Sequence, residues 1–162
     1  MKPLLTLALI VLISCNTDKR NSVDDSLNPD LIGIYEYQTA DPAENHYIVI
    51  DIQQDKYTVF YFGTEDGSGH GIYHYGNELA DVEIKDGQIS FHIEKRELYP
   101  ATRFMINKGN NKEEKEEAVG ISKGSLNYQG EITPERIILS CQSDLGHCWA
   151  EEMEFVRVKG EE

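Results

Sequence analysis

The sequence predicts an all-β domain, an antiparallel barrel or sandwich of about eight to ten short strands. Three observations lead there. Short apolar runs alternate with period two, turn residues separate them at short intervals, and no stretch sustains a helical period. Two of the alternating runs are joined by Asp86-Gly87, the strongest short-range hairpin signal in the chain.

The strands follow in order. Leu31 to Tyr37 is rich in β-branched and aromatic residues, and Asp41-Pro42 closes it. His46 to Gln53 places Ile48, Ile50 and Ile52 on one face; Gln54-Asp55 turns the chain. Lys56 to Phe62 sets Tyr57, Val59 and Tyr61 opposite Phe60 and Phe62, and these two runs form a central hairpin. Gly63 to Gly71, with four glycines, reads as a loop, and Ile72 to Tyr75 as a short strand leaving it. Leu79 to Lys85 alternates with Ala80, Val82 and Ile84 inward. After Asp86-Gly87, Gln88 to Glu94 alternates with Ile89, Phe91 and Ile93 inward. Leu98-Tyr99-Pro100 ends that run. Ala101 to Asn107 is a further strand candidate. Lys108 to Glu117 is polar with no apolar face and reads as a solvated loop. Ala118 to Ser122 is a strand stub. Ser125 to Ile132 turns Leu126, Tyr128 and Ile132 inward, Thr133-Pro134-Glu135 is a turn, and Arg136 to Cys141 and Trp149 to Val158 complete the domain.

Ahead of these strands, Lys2 and the apolar run Leu4 to Ile13 form a secretory signal. The run is too short to span a bilayer, which takes about 20 apolar residues. Its end, Leu12-Ile13-Ser14-Cys15, resembles a bacterial lipobox, which implies cleavage before Cys15 and lipidation of that cysteine. The expected organisation is a signal peptide over 1–14, a lipidated cysteine and polar tether over 15–29, the β domain over 30–158 and a charged tail over 159–162. The expected location is the cell envelope, on a bacterial membrane held by the lipid.

Without the signal the chain carries 14 basic and 29 acidic residues, a formal charge of −15. Such a surface repels phosphate backbones and argues against nucleic acid as a partner. Cys141 and Cys148 then remain as an even pair in an oxidising space. Their spacing does not match Cys-x-x-Cys, so a structural disulfide is expected over a metal or redox pair.

Sites for chemistry are sparse. His70 and His74, with His46 or an acidic neighbour such as Glu65 or Asp66, offer an incomplete metal set; surface histidines are the expectation, and no metal or cofactor is assigned. The stretch Thr64 to Gly69 lacks the alternating acidic ligands of a calcium loop. No serine-hydrolase elbow, zinc-protease motif or phosphate loop occurs, and an enzyme is not expected. Tyrosines crowd the first half of the domain. Tyr35, Tyr47, Tyr57 and Tyr61, with Phe91 and Tyr128, are the candidates for lining an apolar pocket with polar tips, and filling the core is the alternative.

Three features together resemble the calycin group of small β-barrels, which includes lipocalins. Gly33-Ile34-Tyr35 stands where lipocalins carry Gly-x-Trp, and Phe155-Val156-Arg157 where the family's basic residue packs over that aromatic ring. Tyr128-Gln129-Gly130-Glu131-Ile132 with Ile137-Ile138-Leu139 is similar to a hairpin of small exported lipocalin-like domains. The resemblance implies a closed lipocalin-like barrel in which Arg157 stacks on Tyr35. It also implies a binding module for a small apolar molecule or a lipid. The alternative is a protein-interaction or envelope-structural component with a packed interior and no ligand.

Overall fold

The computed structural model describes residues 27–37, 39, 46–66, 71–99, 118–146 and 148–159. The signal, Cys15, most of the tether, His70, His147 and the 101–117 segment lie outside them. A 3-10 turn, Pro29–Leu31, leads in, with the Asn28 side chain accepting from the Asp30 amide. Nine strands follow among the described residues: β1 Gly33–Tyr37, β2 His46–Gln53, β3 Lys56–Asp66, β4 Ile72–Leu79, β5 Glu83–Lys85, β6 Gln88–Leu98, β7 Gly120–Ile132, β8 Arg136–Ser143 and β9 Glu152–Arg157. They make one antiparallel sheet in the order β4-β3-β2-β1-β9-β8-β7-β6-β5.

Every neighbour in that order is consecutive in sequence except β1, which lies beside β9 with Tyr35 opposite Arg157. The hydrogen-bonded ladder is open, with β4 and β5 at its ends. Among the described residues one isolated bridge crosses the gap: His74 of β4 exchanges backbone hydrogen bonds of 3.0 and 2.9 Å with Tyr99, just past β6. The sheet curls enough for side chains of β3 to meet those of β6, β7 and β9 across the interior. The Tyr61 ring lies 5.9 Å from Phe91, 5.3 Å from Tyr128 and 6.1 Å from Phe155.

Alternation explains most of the core. Ile48 and Ile50 are buried on β2, Ile89, Phe91 and Ile93 on β6, and Leu126, Tyr128 and Ile132 on β7. The Asp86-Gly87 turn has positive φ at both residues, 51° and 75°, the conformation a two-residue hairpin requires. At Gly130 a side chain has no room, because a Cβ would fall 1.8 Å from the Ile138 carbonyl oxygen across the β7–β8 pair.

Three local expectations are corrected. The glycine-bearing stretch after Phe62 is not all loop: Gly63 to Asp66 continue β3 and pair with β4. Leu79 to Lys85 is not one strand, since β4 ends at Leu79, Ala80 is exposed, and only Glu83–Lys85 pairs with β6. Leu31 sits in the 3-10 turn, where its carbonyl accepts from the buried Tyr35 hydroxyl at 3.0 Å. The expected Cys141–Cys148 disulfide is formed, with Cys148 in the β8–β9 connection.

Candidate functional site

The chemistry-bearing side chains collect inside the curl of the sheet. β6 carries a register shift between Ile93 and Lys95. One residue of β6, Glu94, stands there against two of β7, Gly124 and Ser125, so the extra residue is on β7; beyond it the inward positions of β6 pass from odd to even, and Arg96 follows Ile93 into the interior and is 1 % exposed. Its guanidinium meets Glu65 from the far end of β3, with Nε and Nη2 donating to Oε2 at 3.1 and 2.8 Å. Nη2 also donates to the Ser122 hydroxyl of β7 at 2.7 Å, and that hydroxyl donates to Glu65 Oε1 at 2.9 Å. The guanidinium carbon stands 5.1 Å from the centroid of the Tyr75 ring. A charge this deep persists because it is paired, bonded and set on an aromatic face.

Beside this network lies an aromatic layer. Tyr61, Tyr75, Phe91 and Tyr128 pack ring on ring, with Tyr61 and Tyr75 6.0 Å apart and Phe91 and Tyr128 4.9 Å apart. The Tyr128 hydroxyl donates to that of Tyr61 at 3.4 Å. Burial pushes the Tyr61, Tyr75 and Tyr128 phenols up, so all three stay neutral donors.

His46 closes the layer from β2. It is fully buried, with Nδ1 3.0 Å from the Tyr61 hydroxyl and Nε2 3.0 Å from the Thr64 hydroxyl. Desolvation, with a smaller contribution from His74, lowers its pKa to about 3. Both ring nitrogens are occupied within the fold. His74 is buried too, and burial lowers its pKa. The expectation of surface histidines is therefore corrected for His46 and His74. Among the described residues no group of three His, Cys, Asp or Glu side chains is placed to hold a metal ion.

Of the six residues expected to line a pocket, Tyr61, Phe91 and Tyr128 come together. Tyr35 is buried elsewhere, its hydroxyl bonded to the Leu31 carbonyl. Tyr47 is only half-buried; its hydroxyl donates to Glu36, and desolvation with that bond raises its pKa to about 12. Tyr57 reaches outward to the 3-10 turn, where its hydroxyl accepts from the Asn28 amide at 2.7 Å. Arg96, Glu65, Ser122, His46 and Thr64 were missed as a set. The sequence signal for them is weak, because each belongs to a residue type that usually faces water.

Two of the depressions among the described residues have no residue of the aromatic layer in their lining. One, of about 600 Å³, runs over the outer face of β5 to β9 between polar residues such as Gln88, Gln129, Ser140 and Glu152. The other, of about 370 Å³, lies against Gln53, Lys56, Thr58 and Glu78. No helix among the described residues is long and apolar enough to cross a membrane. Comparison with protein families, with curated proteins and with solved structures found no match.

The Arg157 of the expected aromatic stack makes a different contact. Its Nη1 donates to the carbonyls of Asp30 at 2.8 Å and Pro134 at 3.1 Å, and Nη2 donates to the carbonyl of Ile32. The guanidinium covers Gly33, not the Tyr35 ring. It ties the 3-10 turn and the β7–β8 turn to the β1–β9 pair by hydrogen bonds.

Proposed function

We propose that this chain is an exported lipoprotein, tethered through a lipid on Cys15, whose domain is a lipocalin-like barrel acting by surface contact with another protein of the cell envelope. The observation that carries the reading is the filled interior: Tyr61, Tyr75, Phe91, Tyr128 and Phe155 occupy the space an apolar ligand would need. The barrel form is supported by the strand order, in which first and last strands pair, and by the bridge between His74 and Tyr99. A formal charge of −14 on the whole chain steers the domain toward a basic surface.

The test is made on protein released from its own membrane by detergent. Native mass spectrometry should find the lipidated chain without a second small apolar molecule, and crosslinking in the intact envelope should capture a protein neighbour. A stoichiometric apolar ligand would overturn the packed-interior reading. Continued lipidation of Cys15→Ala would overturn the anchor.

A further inference from the structure

Two buried side-chain nitrogens among the described residues lack a hydrogen-bond partner, Arg96 Nη1 and Asn77 Nδ2. Both belong to the strands that flank the gap in the ladder. The antiparallel pair His74–Tyr99 fixes the local register between β4 and β6. Three residues on along β4 is Asn77, and three residues back along β6 is Arg96, so continuing that register sets the two positions opposite each other, with no backbone bridge between them among the described residues. Asn77 shares its face of β4 with the buried Tyr75 and Leu79, and Arg96 points inward after the register shift.

What the two nitrogens have in common is that each can only donate. Glu65 and Ser122 occupy Nε and Nη2 and hold the guanidinium over Tyr75, its carbon 5.1 Å from the ring centroid. That leaves the Nη1 corner, with its two N–H bonds, facing no acceptor. Buried polar groups are bonded as a rule, and a buried cation with a free donor corner is a standing demand for an acceptor.

We propose that the gap between β4 and β6 is a binding site for the oxyanion group of a small molecule, a carboxylate or a phosphate, with Arg96 and Asn77 as its donors. An oxyanion offers several lone pairs and asks for no acceptor in return, which matches one guanidinium corner and one amide. Among the described residues one backbone bridge joins β4 to the end of β6, whereas the other strand pairs of the sheet are ladders of three or more residue pairs, so the backbone is least tied here. Glu65 and Ser122 are positioning residues in this arrangement, because they orient the guanidinium. The site needs no cavity in the aromatic layer, so it stands apart from the packed-interior reading above.

The experiment is thermal unfolding of the whole exported protein with benzoate, inorganic phosphate, or benzyl alcohol as the uncharged match to benzoate. A ligand that binds the folded state raises Tm with its concentration. A dose-dependent rise of a few degrees with benzoate, with phosphate or with both is expected, and none with benzyl alcohol. Benzoate alone would assign the site to carboxylates, phosphate alone to phosphates. Asn77→Leu keeps the shape, removes one unpaired donor and should fold with an undiminished Tm while losing the shift. Arg96→Gln should lose it as well, if it folds. No rise with either anion, an equal rise with benzyl alcohol, or an unchanged shift in Asn77→Leu would each overturn the proposal.

Discussion

The Arg157 guanidinium lies across Gly33, where a Cβ would stand 3.1 Å from Nε and 3.3 Å from Nη2. The missing side chain lets the arginine lie close enough to reach three carbonyls, on Asp30, Ile32 and Pro134. Lysine carries a point charge without the planar fork and cannot hold that set. Arg157→Lys should therefore cost about 1–2 kcal/mol, the scale of one or two lost hydrogen bonds to a charged group at a half-exposed site. Gly33→Val should cost a similar amount by displacing the guanidinium. Urea unfolding measures both. An unchanged midpoint in Arg157→Lys would mean that the three bonds contribute nothing.

The β5–β6 hairpin gives a second prediction. Gly87 sits at φ 75°, and a Cβ there would meet the Ile132 carbonyl oxygen at 3.8 Å, an ordinary contact, so the penalty for a side chain is conformational and not steric. Gly87→Val should lower stability by about 1 kcal/mol or more, since a β-branched residue resists the left-handed region. Gly87→Asn should cost less, because asparagine tolerates that region best after glycine. If valine and asparagine prove equal, the turn does not limit stability.

What could be read in advance follows from what is local. His46 to Gln53 has the observed bounds of β2, because its isoleucines alternate cleanly and Gln54-Asp55 can take the turn. The Asp86-Gly87 turn is equally local. The continuation of β3 through Gly63 was not legible, because glycine is a poor strand residue alone and is held there by pairing with β4. Arg96 was hidden for a related reason. The register shift after Ile93 comes from the match of β6 to β7, and one slipped residue reverses the face of everything beyond it. Tyr47 was misplaced against its own pattern: it neighbours the inward Ile48, and alternation puts it outside. Tyr57 shares the parity of Tyr61 but lies near the strand end, where it serves the 3-10 turn.

Acid should unfold this domain partly through His46. Its folded pKa of about 3 lies well below the unfolded value of 6.5. Between those values the unfolded chain binds a proton that the folded chain refuses. Stability is thus unaffected by His46 above pH 6.5 and falls as pH drops through the window, at up to about 1.4 kcal/mol per pH unit. His74, also lowered by burial, adds in the same direction. Carboxylates titrate nearer pH ~4, so the clean interval is from about pH 6.5 down to 5. His46→Gln retains hydrogen-bonding capacity without titrating, and should lose less stability than the wild type over that interval. Parallel pH curves for the two proteins would contradict a buried neutral histidine.

The disulfide provides the last prediction, and its position changes what it does. Cys141 is a buried residue of β8 whose amide donates to the Glu151 carbonyl at 3.0 Å, while Cys148 sits in the connection to β9. With Cα atoms 5.9 Å apart and a sequence separation of seven, the bond closes a tight loop onto the end of β8. Trp149 follows at once, and its ring lies 5.2 Å from that of His46. The bond thus sets the path by which Trp149 reaches the interior. A loop this short is worth about 2–3 kcal/mol on the chain-entropy account. Replacing both cysteines by alanine should lower stability by that amount. It should also make Trp149 fluorescence shift to the red in the still-folded protein, as the ring loses its fixed place against His46. Loss of stability without any change in the folded-state fluorescence would leave the bond as a tether only, with Trp149 held by its own packing.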